Sequence, residues 1–423
     1  MEELLDRGVL GRAREYLGFS PVLVVQGARQ TGKSTLARML ARMLAPDGSR
    51  SLTLDDSGAL DAAREDPRGF VEQAGDGLLV IDEVQRLPEL TLAVKAAVDR
   101  DRRPGRFILT GSSDVARIRG DKDSLAGRAL SVRLHPLSQA ELRGSLGRGA
   151  FVDRLLERID DPAGLAVAVP PSRVDVVELL LRGGYPSIRE AGTRLRTAWL
   201  SDYVERLLGV DAREGGGRLD PLRLAAVLRL IAANQSGELV KARIAQEAAL
   251  SAASVTGYLD ALDRLYLTED LHPWAVNLTA REIGRRKVRV GDSGLAAWLC
   301  GASVGLLKDV VRGGKVFGAL LEGFVVGELS AQAGWAEVDY RLYHYRDRRG
   351  LEVDVIIELG DGRVIAVEVK SAAGLTGRHF AGLTDLKRKL GDRLAAGVVL
   401  APVDEPMRYA EGLWGLPLNT LWE

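Results

Sequence analysis

The sequence has a single cysteine, Cys300, so no intrachain disulfide can form, and a reducing compartment is the expected setting. Its four histidines (His135, His272, His344, His379) are scattered and give no zinc-ligand spacing. Neither sign of charge is in excess: 58 Lys+Arg stand against 58 Asp+Glu, so any nucleic-acid surface must be a local patch. No run approaches the length of apolar residues that a membrane span needs, so no membrane partner is expected. The opening stretch MEELLDRGVLGRAREYL lacks the apolar core and small-residue cleavage site of a secretory leader, and a cytoplasmic location is the expectation. There is no fixed-period repeat and no low-complexity tract. What remains is 423 residues with 46% hydrophobic and 27% charged, enough apolar material for roughly three globular domains.

Strand-like apolar runs at 22–26, 51–54, 77–82 and 106–111 alternate with helical stretches, which argues a parallel α/β sheet. The first run leads into GARQTGKST, residues Gly27, Ala28, Arg29, Gln30, Thr31, Gly32, Lys33, Ser34 and Thr35, and then into a helix. This is a phosphate-binding pattern: glycines let backbone N–H groups wrap the phosphates of ATP, Lys33 reaches the β- and γ-phosphates, and Ser34 sits on Mg²⁺. A second apolar strand ends in Asp82 and Glu83. Asp82 is the expected magnesium partner and Glu83 the polariser of the attacking water, a pairing that a hydrolase needs more than a metabolite kinase does. Thr110, closing a third strand, is either a γ-phosphate sensor or a turn residue of TGSS.

These segments resemble the AAA-type ATPases. QGARQTGKST, LLVIDEVQRLP, FILTGSS and SLAGRAL are similar, more narrowly, to a bacterial and archaeal family that joins such an ATPase to a C-terminal domain of unknown function. The similarity continues in GGYPS (183–187), VGDSGLAAWLCG (290–301) and GLEVDVIIEL (350–359). It implies that Arg128 touches the γ-phosphate, in its own subunit or in a neighbour of a homo-oligomer. The alternative is a pairing with the Asp121 or Asp123 region.

Three helical stretches within 223–265 and two strand-like segments, 266–271 and one opening at Lys287, read as a winged helix, and the family comparison agrees. DNA is the favoured partner over RNA. The third helix carries Asp260 and Asp263, which repel phosphate, so Arg281, Arg285, Arg286, Lys287 and Arg289 near the wing are the expected contacts, unless they are only a solvated face.

Farther along, EVDVIIE (352–358) and AVEVK (366–370) read as strands. Glu352 and Asp354 share one face and Val353, Val355 and Ile357 the other. Pairing the strands brings Asp354, Glu368 and Lys370 together, with Glu322 on the preceding helix completing the set. The pattern resembles the D…ExK motif of the PD-(D/E)XK nucleases. The resemblance implies Mg²⁺ on Asp354 and Glu368, with Lys370 serving the attacking water.

The expected organisation is therefore multidomain α/β. An AAA-type P-loop ATPase core (1–143) is followed by a helical lid and connector (144–217), a winged helix (218–310) and a restriction-endonuclease-like domain (311–423). The expected function is ATP hydrolysis controlling a Mg²⁺-dependent nuclease-like domain on nucleic acid. The alternative is an ATP-dependent switch whose winged helix and nuclease-like fold bind DNA or a protein and cut nothing.

Overall fold

The computed structural model describes residues 4–112, 125–165, 169–211 and 219–423. Asp121, Asp123 and the EGGG stretch (214–217) lie outside the described residues. Two compact units emerge. One runs to Pro136 and includes Arg264–Tyr266; the other comprises Leu137–Asp263 and Leu267–Glu423. Among the described residues no helix is long and apolar enough to cross a membrane.

The first unit is built on five parallel strands, β1 (Val22–Gln26), β2 (Ser49–Thr53), β3 (Leu78–Asp82), β4 (Phe107–Gly111) and β5 (Ala129–Arg133), in the order β2-β3-β4-β1-β5. Alternation along each strand splits its side chains between two cores, as a sheet covered on both faces requires. Val22, Val24, Leu79, Ile81, Phe107 and Leu109 pack with Val94 and Val98 of the helix Leu90–Arg100. Leu23, Val25, Leu78, Val80 and Ile108 pack with Leu36 and Leu40 of the helix Lys33–Leu44. The loop after β1 thus opens at the carboxyl edge of the sheet, between β4 and β5, where an α/β sheet presents its ligand crevice.

The second unit starts with helices, among them Phe151–Glu157 and Arg173–Arg182. Helices Pro221–Ala233, Lys241–Glu247 and Ala252–Arg264 come next. A small antiparallel sheet follows, β6 (Gly237–Glu238), β7 (Thr268–Leu271) and β8 (Lys287–Val290), ordered β6-β8-β7. After the 23-residue helix Val310–Gln332 comes a mixed sheet of β9 (Tyr340–Arg346), β10 (Glu352–Leu359), β11 (Val364–Val369), β12 (Leu394–Ala401), β13 (Met407–Ala410) and β14 (Leu413–Pro417), ordered β13-β14-β12-β11-β10-β9.

Polar side chains weld the helix Phe151–Glu157 to the helix Val310–Gln332 and to the segment before β9, and that long helix to the segment after β14. Gln332 takes the Phe151 backbone N–H at 2.7 Å and donates to the Leu421 carbonyl at 2.7 Å. Asp153 accepts from the N–H groups of Glu337 and Val338 at 2.9 and 3.0 Å. The two glycine-containing motifs of the sequence lock together here. Asp292 accepts from Gly184 and Leu295, each at 2.7 Å, while Gly183, at φ 68°, leaves no room for a β-carbon against the Asp292 carboxylate. GGYPS and VGDSGLA are therefore a packing device of the second unit.

Candidate functional site

In the first unit, the chain leaves β1 through Gly27, where a β-carbon would strike the Leu134 carbonyl, and enters its helix through Gly32 at φ 96°. Between them the loop folds on itself. Thr31 Oγ1 donates to the Ala28 carbonyl at 2.9 Å, and Lys33 Nζ to the same oxygen at 2.8 Å. Lys33 is buried, and burial lowers it to about 8 against the opposing pull of Glu83 and Asp82. An ammonium held on a neutral carbonyl inside a glycine cradle, at the N-terminus of a 12-residue helix, suits a phosphate counter-charge. The residues fit a nucleotide.

Asp82, closing β3, faces this loop. Ser34 Oγ donates to both its oxygens at 2.9 and 2.8 Å, and Thr110 Oγ1 donates to Oδ1. The hydroxyl and carboxylate expected on magnesium are thus side by side, and a bound Mg²⁺ would neutralise phosphate charge there. Glu83 adopts a left-handed backbone, φ 58° and ψ 44°, and its N–H reaches Thr110 Oγ1 at 3.2 Å. Its carboxylate accepts from Gln85 Nε2 and, at 3.1 Å, from Ser112 Oγ. Thr110 therefore orders both acids.

Three participants were not legible in the motif: Gln85, Ser112 and Arg7. Arg7 is buried and donates to the Thr31 carbonyl at 2.7 Å and to the His135 carbonyl at 2.8 Å, tying the loop to the segment after β5. Arg128 pairs with Asp99, Nε to Oδ1 at 2.7 Å and Nη2 to Oδ2 at 3.0 Å. The hydrogen bond from Arg128 holds Asp99 below its ordinary carboxyl value.

In the second unit, Asp354, Glu368, Lys370 and Glu322 form part of one buried cluster. Asp354 Oδ2 takes the Val369 N–H at 2.8 Å, Lys370 donates to Glu368, and Glu368 Oε2 is a buried oxygen with no hydrogen-bond partner among the described residues. Burial, then Asp354, pushes Glu322 to about 8 and Glu368 to about 7. The unforeseen member is Lys287, only 4% exposed at the start of β8. Its ammonium lies 2.8 Å from Glu322 Oε1, 2.6 Å from Glu352 Oε1 and 3.9 Å from Asp354 Oδ1. Burial alone would lower it, but these carboxylates hold it above the usual lysine value. Among the described residues no three acidic, histidine or cysteine side chains are arranged to hold a metal ion. The space between Glu322, Glu352 and Asp354 is filled by the Lys287 ammonium.

This corrects the expectation for the wing. Lys287 and Arg289 are buried in ion pairs, Arg289 with Glu269. Arg281 forks onto Glu358 with both contacts at 2.7 Å, and Arg286 bonds Asp270 at 2.5 Å. Arg285 stays well exposed, with Glu238 at 3.7 Å. Arg286 and Arg289 find their acids on neighbouring β7, whereas Arg281 and Lys287 find theirs through docking: Trp274 N–H meets the His344 carbonyl at 2.6 Å, and His344 N–H the His272 carbonyl at 2.9 Å, joining the segment after β7 to edge strand β9. The alternation expected for β10 also fails at one point. Its register against β9 shifts between Val353 and Ile356, so these two enter the same core, with Phe380 and Leu383.

Residues 19–143 match a family described as an AAA domain, while 173–305 and 317–421 each match a domain of unknown function. Uncharacterized proteins of Mycobacterium bovis and Mycobacterium tuberculosis are each 29% identical over 385 residues, 90% of this chain and 78% of the relative. Among solved structures, a Walker-type ATPase of Pyrococcus abyssi is 17% identical, covering 70% of this chain and 96% of its own, with a TM-score of 0.42. AMPPCP-bound DnaA from Aquifex aeolicus is 15% identical over 62% of this chain and 89% of its own, with a TM-score of 0.27. With the loop, Ser34, Asp82 and Thr110 gathered at the edge of a parallel sheet, the chain carries an AAA-type P-loop ATPase domain, joined to segments whose families are of unknown function.

Proposed function

We propose that the chain hydrolyses ATP with Mg²⁺ and uses the nucleotide state to control a nuclease-like domain that acts on nucleic acid, with DNA the favoured substrate. The observation that carries the ATPase reading is the convergence of Ser34, Asp82 and Thr110 through direct hydrogen bonds beside the Lys33 loop. In it, Lys33 holds the phosphates, Ser34 and Asp82 serve the metal, and Glu83 orients water once released from Gln85 and Ser112. Arg128 is the candidate for the γ-phosphate if it leaves Asp99, within this chain or across a homo-oligomer. Turnover by purified protein is the test. Lys33→Ala should lower it by about a hundredfold or more, and Glu83→Gln should do the same while nucleotide still binds. A Glu83→Gln variant turning over at the parent rate would remove Glu83 from this role.

For the second unit, the proposed organisation is a winged helix followed by a PD-(D/E)XK-like fold. Asp354 and Glu368 would hold Mg²⁺, Glu322 would support them, and Lys370 would serve the attacking water. A reading without cleavage has its own support in Lys287, which already neutralises part of the cluster. Cleavage of labelled single- and double-stranded DNA and RNA with Mg²⁺ or Mn²⁺, with and without ATP, separates the two. Loss of cleavage in Asp354→Asn favours the nuclease; no cleavage by the parent protein favours the switch.

A further inference from the structure

A loop that wraps phosphates turns its backbone N–H groups inward, so the carbonyls of the same peptides turn outward and need donors there. In the first unit this need is sharpest at Thr31. The residue is fully buried and stands between two residues with left-handed backbone, Gln30 at φ 65° and Gly32 at φ 96°. Its carbonyl is met by Arg7 Nη1 at 2.7 Å, while Arg7 Nη2 donates to the His135 carbonyl at 2.8 Å. One planar fork thus serves two carbonyls from distant parts of the chain. The fork itself is anchored. The Arg7 carbonyl accepts from the Leu10 N–H at 3.0 Å, at the head of the helix Leu10–Phe19. That helix places Ala13 and Leu17 in the same core as Leu36 and Leu40 of the helix that follows the loop. The guanidinium lies against Gly32, where a β-carbon would stand 3.4 Å from Nη1.

We propose that Arg7 is a positioning residue for the nucleotide phosphates: by holding the Thr31 carbonyl outward, it keeps the Gly32 N–H turned into the phosphate cradle. The inference rests on reading Gly27 to Ser34 as a phosphate loop. In a planar trans peptide the C=O and N–H point opposite ways, so fixing one fixes the other. Without Arg7, the buried Thr31 carbonyl loses a charged donor. Rotating the Thr31–Gly32 peptide relieves that loss, and a glycine at position 32 permits the rotation. The rotation swings the carbonyl oxygen into the cradle and the N–H out of it. A phosphate then meets an acceptor where it needs a donor. An arginine that only braced the fold would change stability and leave unaltered what the loop presents to phosphate.

The test uses the full-length protein. Binding of AMPPCP and of inorganic tripolyphosphate, each with Mg²⁺, is measured by calorimetry, with ATP turnover alongside. Arg7→Ala should weaken both ligands by about tenfold, because the loss lies in the phosphate loop and not at the base. Its KM for ATP should rise by more than its kcat falls. Free guanidinium at low millimolar concentration, filling the space the side chain leaves, should restore most of the affinity in Arg7→Ala and change nothing in the parent. Arg7→Lys keeps a donor but not the fork and should fall between the two; it carries the comparison if circular dichroism shows Arg7→Ala to be unfolded. Parent affinity for both ligands in folded Arg7→Ala overturns the proposal. So does a loss confined to AMPPCP, which would put Arg7 on the base or ribose. Weakening of both ligands that neither guanidinium nor lysine relieves would make Arg7 a brace of the fold and overturns it too. A parent protein that binds neither ligand, with Lys33→Ala no different, removes the nucleotide site itself, and the proposal with it.

Discussion

Glu328 lies fully buried on the helix Val310–Gln332, both carboxylate oxygens taking the Gln139 backbone N–H at 3.1 and 3.0 Å. Burial pushes it up to about 8, with Glu141 adding to the rise and Arg143 opposing it. A carboxyl raised in the folded state favours folding at low pH, and that stability is lost as pH climbs from its ordinary value, about 4.5, through about 8. The full span corresponds to about 5 kcal/mol. Glu328→Gln keeps an acceptor for Gln139 but cannot ionise. Its urea midpoint, followed from pH 5 to 9, should fall less steeply than the parent's, and the variant should be the more stable at pH 8. Equal slopes would show that Glu328 does not titrate in this range. At this scale the sequence was legible where spacing is local. Gly27 to Ser34, Asp82 with Glu83, and Glu368 with Lys370 are short motifs whose chemistry can be read in a line. Arg7, Asp99, Gln85, Ser112 and Lys287 were not, because each acquires its role from a partner that only folding brings near.

Among the elements, apolar runs betrayed the buried parallel strands, while β5, β13 and β14 escaped. β14 reads LWGLP, and its glycine and proline signal a turn, yet it is buried and pairs in parallel with β12. At Gly415 a β-carbon would meet the tip of the Leu375 side chain, which would have to shift. β13 is an exposed edge strand and β5 flanks the other sheet, so neither carries a continuous apolar signal. The basic stretch 281–289 misled for the opposite reason: composition advertises a surface, whereas β7 supplies acids for Arg286 and Arg289, and the helix Val310–Gln332 and β10 supply them for Arg281 and Lys287. Arg281→Ala should therefore act on stability. It leaves Glu358 with only the Trp274 indole N–H at 3.0 Å, and should cost about 1–2 kcal/mol in chemical denaturation. On labelled duplex DNA, Arg285→Ala should reduce the slope of log affinity against log salt by about one at most, and Lys287→Ala should leave it unchanged. A slope that drops by about one in Lys287→Ala would place that residue on a phosphate.

For the whole molecule, the question is how many units melt. Read as domains, the stretches 144–217, 218–310 and 311–423 would unfold separately, giving several transitions beside that of the ATPase core. The contacts argue for fewer. Gln332 and Asp153 tie the helix Phe151–Glu157 to the helix Val310–Gln332 and the segment before β9, Asp292 ties GGYPS to the helix Ser293–Leu299, and Lys287 ties β8 to β10. Each is buried or half-buried and joins segments far apart in sequence, so freeing one segment exposes unpaired polar groups in the others. The first unit has its own two cores, built around its parallel sheet. Calorimetry should accordingly resolve two transitions. A nonhydrolysable ATP analogue at a hundred times its Kd should raise only the transition of the first unit, by the equivalent of about 2.7 kcal/mol. Lys33→Ala should cancel that shift and leave the other transition in place. Gln332→Ala should lower the second transition as a whole, without splitting it. Three or more transitions in the parent protein would mean that the welds are too weak to make the segments after Leu137 cooperate.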